Sequence, residues 1–210
     1  HREVFYIGID SCVPDMEIES RTSRIPLIRE AYDDAVLGEK IKEKLSFIMH
    51  RNYGDFINYW NERKSYKGLT YGAVQYPSLY MGAGEQRIIK FLETIYSIPD
   101  YSLILIDELD LTLHTEALLR LMQVLNDECN TRNIQIVFTS HREELLDCNF
   151  INIRHLVNDT NGKTSICLER TTPDCIKRLT GICPKPLEIM VEDNLAEALV
   201  RKILRTHNLE

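Results

Sequence analysis

The stretch LILIDELDLTLH, residues 103–114, decides how this chain is read. Leu103, Ile104, Leu105 and Ile106 form an apolar run of the length of a buried strand rather than a helix. Asp107 and Glu108 follow without a break, so a strand forced inside a sheet delivers two adjacent carboxylates to its C-terminal tip. In open α/β folds that edge is where ligands bind. A carboxylate there suits Mg2+, which takes hard oxygen ligands, and its neighbour suits the polarisation of a water that attacks a γ-phosphate. Two acids after a strand also occur as plain solvent-facing caps, so the pair alone leaves the function open.

The surroundings narrow the reading. Downstream, a helix is predicted from about Thr115 to Cys129, with Leu118, Met122 and Leu125 in register. A strand over 134–139 (IQIVFT) follows, and then a short helix after His141. Upstream, MGAGEQR (81–87) reads as a glycine turn opening a helix with Ile88, Leu92 and Ile95 on one face. The free N–H groups of such a turn form an anion site. A strand is predicted over 3–9. Residues 26–64 have a mostly helical pattern and read as a solvated arm with Ile41, Leu45 and Ile48 as its stripe, and KGLTYGAVQYPSLY (67–80) reads as loop. Strands at 150–156 and 164–169 flank the hairpin signal Asn161-Gly162. A last strand, LEIMV (187–191), feeds a terminal helix. Strands separated by helices give an α/β class with a mostly parallel sheet.

Composition excludes more than it assigns. Hydrophobic residues at 44% and charged residues at 27% are those of an ordinary globular protein. No apolar run approaches the roughly 18 residues that span a bilayer, and the N-terminus lacks the order of a signal peptide. Membrane partners are therefore not expected. A net charge of −7 gives no electrostatic argument for nucleic acid. Arg21, Arg24, Arg29, Arg51, Arg63, Lys64 and Lys67 make the first part loosely basic, which reads as solvated surface. Six cysteines without a C-x-x-C pair read as reduced thiols of a cytoplasmic protein. No G-x-x-x-x-G-K-[ST] occurs: NGKTS (161–165) fails because Val157 stands where its first glycine belongs.

Taken in order, residues 81–146 resemble the second half of an ABC-type ATPase head of the kind found in Rad50, the SMC proteins and the OLD-family nucleases. The form DELDLTLH is similar to the DEPExxLH of OLD-like ATPases. The resemblance makes Gly82, Ala83, Gly84 and Glu85 the signature motif, which contacts the γ-phosphate of ATP held by the opposite subunit. It puts Asp107 on Mg2+ and makes Glu108 the catalytic base. Residues 109–114, with Leu113 and His114, become the loop that couples two heads, and His141 the switch histidine on the γ-phosphate. Gly82 stands where serine is usual. The resemblance further implies a phosphate-binding loop ahead of residue 1, a homodimer or higher oligomer through the heads, and DNA as a partner. These 210 residues alone are then expected to bind ATP poorly.

Residues 186–204 resemble the opening of a TOPRIM nuclease domain, with Glu192 as a metal ligand; the plain alternative is one more βα unit. The expected organisation is a strand and helical insertion over 1–80, an ATPase core over 81–156, a hairpin and linker over 157–186, and a TOPRIM-like start over 187–210. The activity implied is that of an ATP-gated endonuclease in bacterial anti-phage defence. One alternative is a sensor or scaffold ATPase that regulates a separate effector protein. The other is a DNA-repair head of the Rad50/SMC type, for which residues 26–64 are too short to form the coiled coil.

Overall fold

The computed structural model describes residues 2–18, 27–60, 64–158, 164–167 and 198–203. They belong to two units, His1–Ile151 and Asn152–Glu210. The first runs β1 (Val4–Ile7), α1 (Asp15–Ile18), β2 (Ile28–Ala31), α2 (Ala35–Met49), β3 (Tyr53–Trp60), β4 (Ser65–Tyr71), β5 (Val74–Pro77), α3 (Ala83–Ser97), β6 (Leu103–Ile106), α4 (Thr115–Arg132) and β7 (Gln135–Phe138). Single 3-10 turns lie at Ile9–Cys12, Ser78–Tyr80 and Glu143–Asp147.

The class is α/β, with a parallel sheet and flanking helices. β6 is the middle strand of the order β1-β6-β7, and Ile7, Ile106 and Phe138 stand abreast in its last row. Ile104 and Ile106 join one core with Ile88, Leu92 and Ile95 of α3 and Leu118, Leu121 and Leu125 of α4. Each of these side chains, fully or nearly fully buried, contributes about 1.5–3 kcal/mol. Val4, Tyr6 and Val137 alternate with the inward residues and are exposed. All three strands run the same way, so their C-terminal ends, and the loops leaving them, share one edge.

The predicted helical insertion is a mixed structure instead. Only α2 is helical: the Asp34 carboxylate accepts the Leu37 N–H at 2.9 Å as its N-cap, and His50 ends it in the left-handed conformation at φ 52°. β2, β3, β4 and β5 form a four-stranded antiparallel sheet in that order, across stretches read from sequence as helix (28–31 and 53–60) or loop (67–80). The cause of the misreading is visible in β3. A register shift between Tyr53 and Phe56 puts its buried apolar residues at 53, 56 and 57, an i, i+3, i+4 spacing that imitates a helix. Its content of Tyr, Phe, Ile and Trp is that of a strand. β4 and β5 close through Gly72 at φ 59°, and Gly68 lets the Tyr59 ring lie flat across it, since a Cβ there would sit 2.2 Å from that ring. The sheet is not a solvated arm: Tyr53, Phe56 and Leu69, with Ile41, Leu45 and Ile48 of α2, belong to the same core.

In the second unit, β8 (His155–Asn158) pairs antiparallel with β9 (Thr164–Cys167), and residues 198–203 are helical. The first of these strands starts at 155, where 150 was predicted. Asn161-Gly162, the strand expected at 187–191, Glu192, and Arg21, Arg24 and Arg63 lie outside the described residues. No helix among the described residues is long and apolar enough to cross a membrane.

Candidate functional site at the C-terminal edge of the parallel sheet

The polypeptide leaving β6 stays between its neighbours for three more residues. Asp107 N–H donates to the Ile7 carbonyl at 2.9 Å, and Leu109 N–H to the Thr139 carbonyl at 3.0 Å. Between them the chain takes an uncommon path: Glu108 is left-handed at φ 50°, and Thr112 repeats this at φ 69°. The effect is to project the two carboxylates from the sheet edge, both half-buried. The Thr139 hydroxyl, at the end of β7, donates to Asp107 Oδ1 at 2.7 Å and accepts the Glu108 N–H at 2.8 Å. That one hydroxyl fixes the aspartate and the backbone of the glutamate together. His141 follows two residues later from the same strand end and is exposed. Asp107, Glu108 and His141 thus emerge from adjacent strands at one edge.

Beneath this turn lies a residue absent from the sequence reading. Arg87 of α3 is 1% exposed. Its guanidinium donates to the carbonyls of Asp107 (3.1 Å), Glu108 and Leu111 (3.2 Å), and it touches the Cys12 thiol. Burial lowers its pKa. Left-handed residues at 108 and 112 bracket this turn, and the guanidinium donates to all three of its carbonyls, that of Glu108 also accepting the Leu111 N–H at 3.1 Å. The available signal was a charged residue one helical turn from Phe91, within the apolar face of α3. Thr139 had a weaker signal, a polar end to an apolar strand.

The signature-like residues divide. Gly82 caps α3 and is exposed, with a hypothetical Cβ meeting nothing nearer than Glu85 Oε2 at 4.0 Å. Ala83 is half-exposed. Gly84 packs on the 109–114 turn, where a Cβ would stand 2.8 Å from the Thr112 carbonyl oxygen. Glu85 is engaged elsewhere: Oε2 accepts the Gly82 N–H at 3.3 Å, and Oε1 accepts Arg51 at 3.2 Å, Tyr76 at 3.4 Å and the Tyr53 hydroxyl. It is buried, so its carboxylate is a structural anchor within α3 and the antiparallel sheet. Burial and that carboxylate push the Tyr76 phenol up to about 12 and the Tyr53 phenol higher still. Leu113 lies in the core and offers only its carbonyl to the outside, while His114 is the exposed N-cap of α4.

Among the described residues no group of three or more His, Cys, Asp and Glu side chains could hold a metal ion. Mg2+ that arrives on a nucleotide needs only one or two protein carboxylates besides phosphate and water. Asp107, oriented by the Thr139 hydroxyl, fits that lesser demand. The free N–H groups at the start of α3 are of the kind that receive phosphate oxygens.

Comparison with known proteins adds a family. The sequence profile described as "AAA domain, putative AbiEii toxin, Type IV TA system" matches residues 4–147, more than half of the chain. A solved structure from work on the structural biochemistry of ATP-driven dimerization and DNA-stimulated activation of SMC ATPases is similar over 80% of this chain and 91% of its own, at 10% identity and a TM-score of 0.48. No curated protein matches the sequence.

Proposed function

The chain belongs to the AAA-domain family whose profile spans residues 4–147, and from that premise we propose that its parallel-sheet edge is the hydrolytic half of an ATP site. The observation that carries the reading is the Thr139 hydroxyl, which fixes Asp107 and Glu108 together at the end of β6 while His141 leaves the strand beside them. In this reading Asp107 takes the Mg2+ that accompanies ATP, Glu108 accepts a proton from the attacking water, and His141 contacts the γ-phosphate. Beside Gly82, whose own N–H is held by Glu85, Ala83 and Gly84 offer backbone N–H groups to a nucleotide held by a second head, and the 109–114 turn lies at the seam. Hydrolysis then serves as a timer: ATP joins two heads and its loss parts them.

The output of that timer is read as cleavage of DNA by an associated nuclease domain, in defence against phage, on the likeness of DELDLTLH to the OLD-type motif. A second reading has the ATPase govern a separate effector without cutting DNA itself; the words "putative AbiEii toxin, Type IV TA system" in the family description point to a toxic rather than a repair output. Metal-dependent nicking of plasmid DNA by the full-length protein separates them; the second reading requires none.

The site itself is tested by Glu108→Gln in the full-length protein. ATP turnover is expected to fall by roughly 10²–10⁴-fold, the range for loss of a general base, with ATP binding retained. Turnover within a factor of two of wild type would remove Glu108 from the mechanism.

A further inference from the structure

The loops that leave β6 and β7 are fastened to each other by Arg142, the residue after His141. Its Nη2 donates to the Leu113 carbonyl at 2.7 Å, in the turn that follows the two carboxylates. Its Nε faces Asp110 Oδ2 at 3.7 Å, and its Nη1 faces Glu144 Oε1 at 3.6 Å. Glu144 in turn accepts the hydroxyl of Thr115, the first residue of α4, at 2.8 Å. The Glu144 carboxyl is held below its usual range by its own backbone N–H, by that hydroxyl and by Arg142. One guanidinium therefore reaches the 109–114 turn directly and the start of α4 through one carboxylate.

Asp110 shows that the arrangement is specific rather than a surface ion pair. Its side chain is 13% exposed, and Oδ1 is buried without a hydrogen-bond partner among the described residues. A buried carboxylate with an orphan oxygen is tolerated only where positive charge faces it. Arg142 supplies that charge from the β7 side and Arg87 from beneath. At 3.7 Å the Arg142–Asp110 approach is an ion pair and not yet a hydrogen bond. The Leu113 carbonyl, at 2.7 Å, holds the guanidinium where it is.

We infer that Arg142 is a positioning residue that ties the loop carrying His141 to the 109–114 turn through the Leu113 carbonyl and the Asp110 carboxylate. The tie rests on geometry alone. Its use, to carry a pull on His141 into the turn, rests on the reading of His141 as a phosphate contact. A displacement of the imidazole moves the next residue, and the guanidinium cannot move without dragging Leu113 or exchanging it for Asp110. Lysine at this position keeps the charge on a single nitrogen but loses the planar fork that bonds the Leu113 carbonyl while facing two carboxylates.

The test uses full-length protein in five forms: wild type, Arg142→Ala, Arg142→Lys, Asp110→Asn and Arg142→Ala with Asp110→Asn. Amide hydrogen exchange is followed over 107–116 and 139–147, with and without Mg-ATP, beside steady-state turnover. In wild type, Mg-ATP is expected to slow exchange in both segments; in Arg142→Ala it slows only 139–147. Turnover number falls about tenfold with KM within twofold, lysine restores part of the loss, and the double variant is no worse than Arg142→Ala. Retention of the joint response in Arg142→Ala, or fully additive losses in the double variant, overturns the inference. If wild type neither binds nor responds to Mg-ATP, the proposed function falls by itself. The tie is then judged without nucleotide: Arg142→Ala must speed exchange at least tenfold in both segments, and an effect confined to 139–147 refutes it.

Discussion

The two sheets of the first unit share a core and treat their carboxylates in opposite ways. At the edge of the parallel sheet, Arg87 takes backbone carbonyls, and the neighbouring Asp107 and Glu108 side chains are left facing outward. On the antiparallel sheet, Tyr53, Tyr76 and Arg51 converge on the side chain of Glu85, which leaves it no freedom for chemistry. Chemically equivalent acids, 22 or 23 positions apart in sequence, are left available or held fast according to what the nearest cations and hydroxyls hold. A carboxylate stays available when a nearby cation takes its backbone carbonyl and at least one of its own oxygens is left unclaimed, as at Asp107, where Thr139 engages only Oδ1.

The contrast breaks most severely at Arg87. Arg87→Met keeps the length of the stem but strips donors from the carbonyls of Asp107, Glu108 and Leu111. The Glu108 carbonyl keeps the Leu111 N–H, but those of Asp107 and Leu111 lose their donor, so a loss of about 2 kcal/mol is expected, read as a lowered urea midpoint at unchanged slope. A loss below about 1 kcal/mol would mean that the turn holds itself.

The antiparallel side is sharpened by alkali. Tyr53 and Tyr76 hold their protons in the fold to higher pH than a tyrosine of the unfolded chain, whose pKa is about 10. Above that pH the unfolded chain loses protons that the fold retains. Stability is therefore complete below about pH 10 and declines as the pH rises toward 12 and beyond. Tyr32 and Tyr96, raised in the same direction by burial and by Glu93 and Glu128, add to the slope. Urea midpoints at successive pH values are expected to fall less steeply in Tyr53→Phe than in wild type. Equal slopes would show that the Glu85 cluster titrates as if solvated.

The smallest effect belongs to Gly82, on the parallel-sheet side of the comparison. Its φ of −62° and the open space beside it admit a side chain, and serine is a better N-cap than glycine by a few tenths of a kcal/mol. Gly82→Ser is expected to raise the midpoint by that much. A fall would mean that the start of α3 is more crowded than its neighbours suggest.

What the sequence made legible follows the range of the interactions. The run 103–106, the stripe of α3 and the register of α4 are local patterns, and each element lies where periodicity put it. Adjacent parallel strands then bring 107, 108 and 141 to one edge as a matter of topology. The strand at 53–60 was hidden because a bulge shifted its alternation into helical spacing. Arg87 and Arg142 were hidden for a different reason: their acceptors are carbonyls, which every residue carries and no residue type announces. The hold of Glu85 on the Gly82 N–H was legible, since an acid three residues after an N-cap is the usual partner of the cap's own N–H.

The left-handed backbone at Glu108 has a consequence for the history of this position. A residue with a side chain is conformationally disfavoured at φ 50°, and glycine would relieve the penalty while removing the carboxylate. Drift toward a sturdier backbone and retention of the carboxylate therefore pull in opposite directions at this one site.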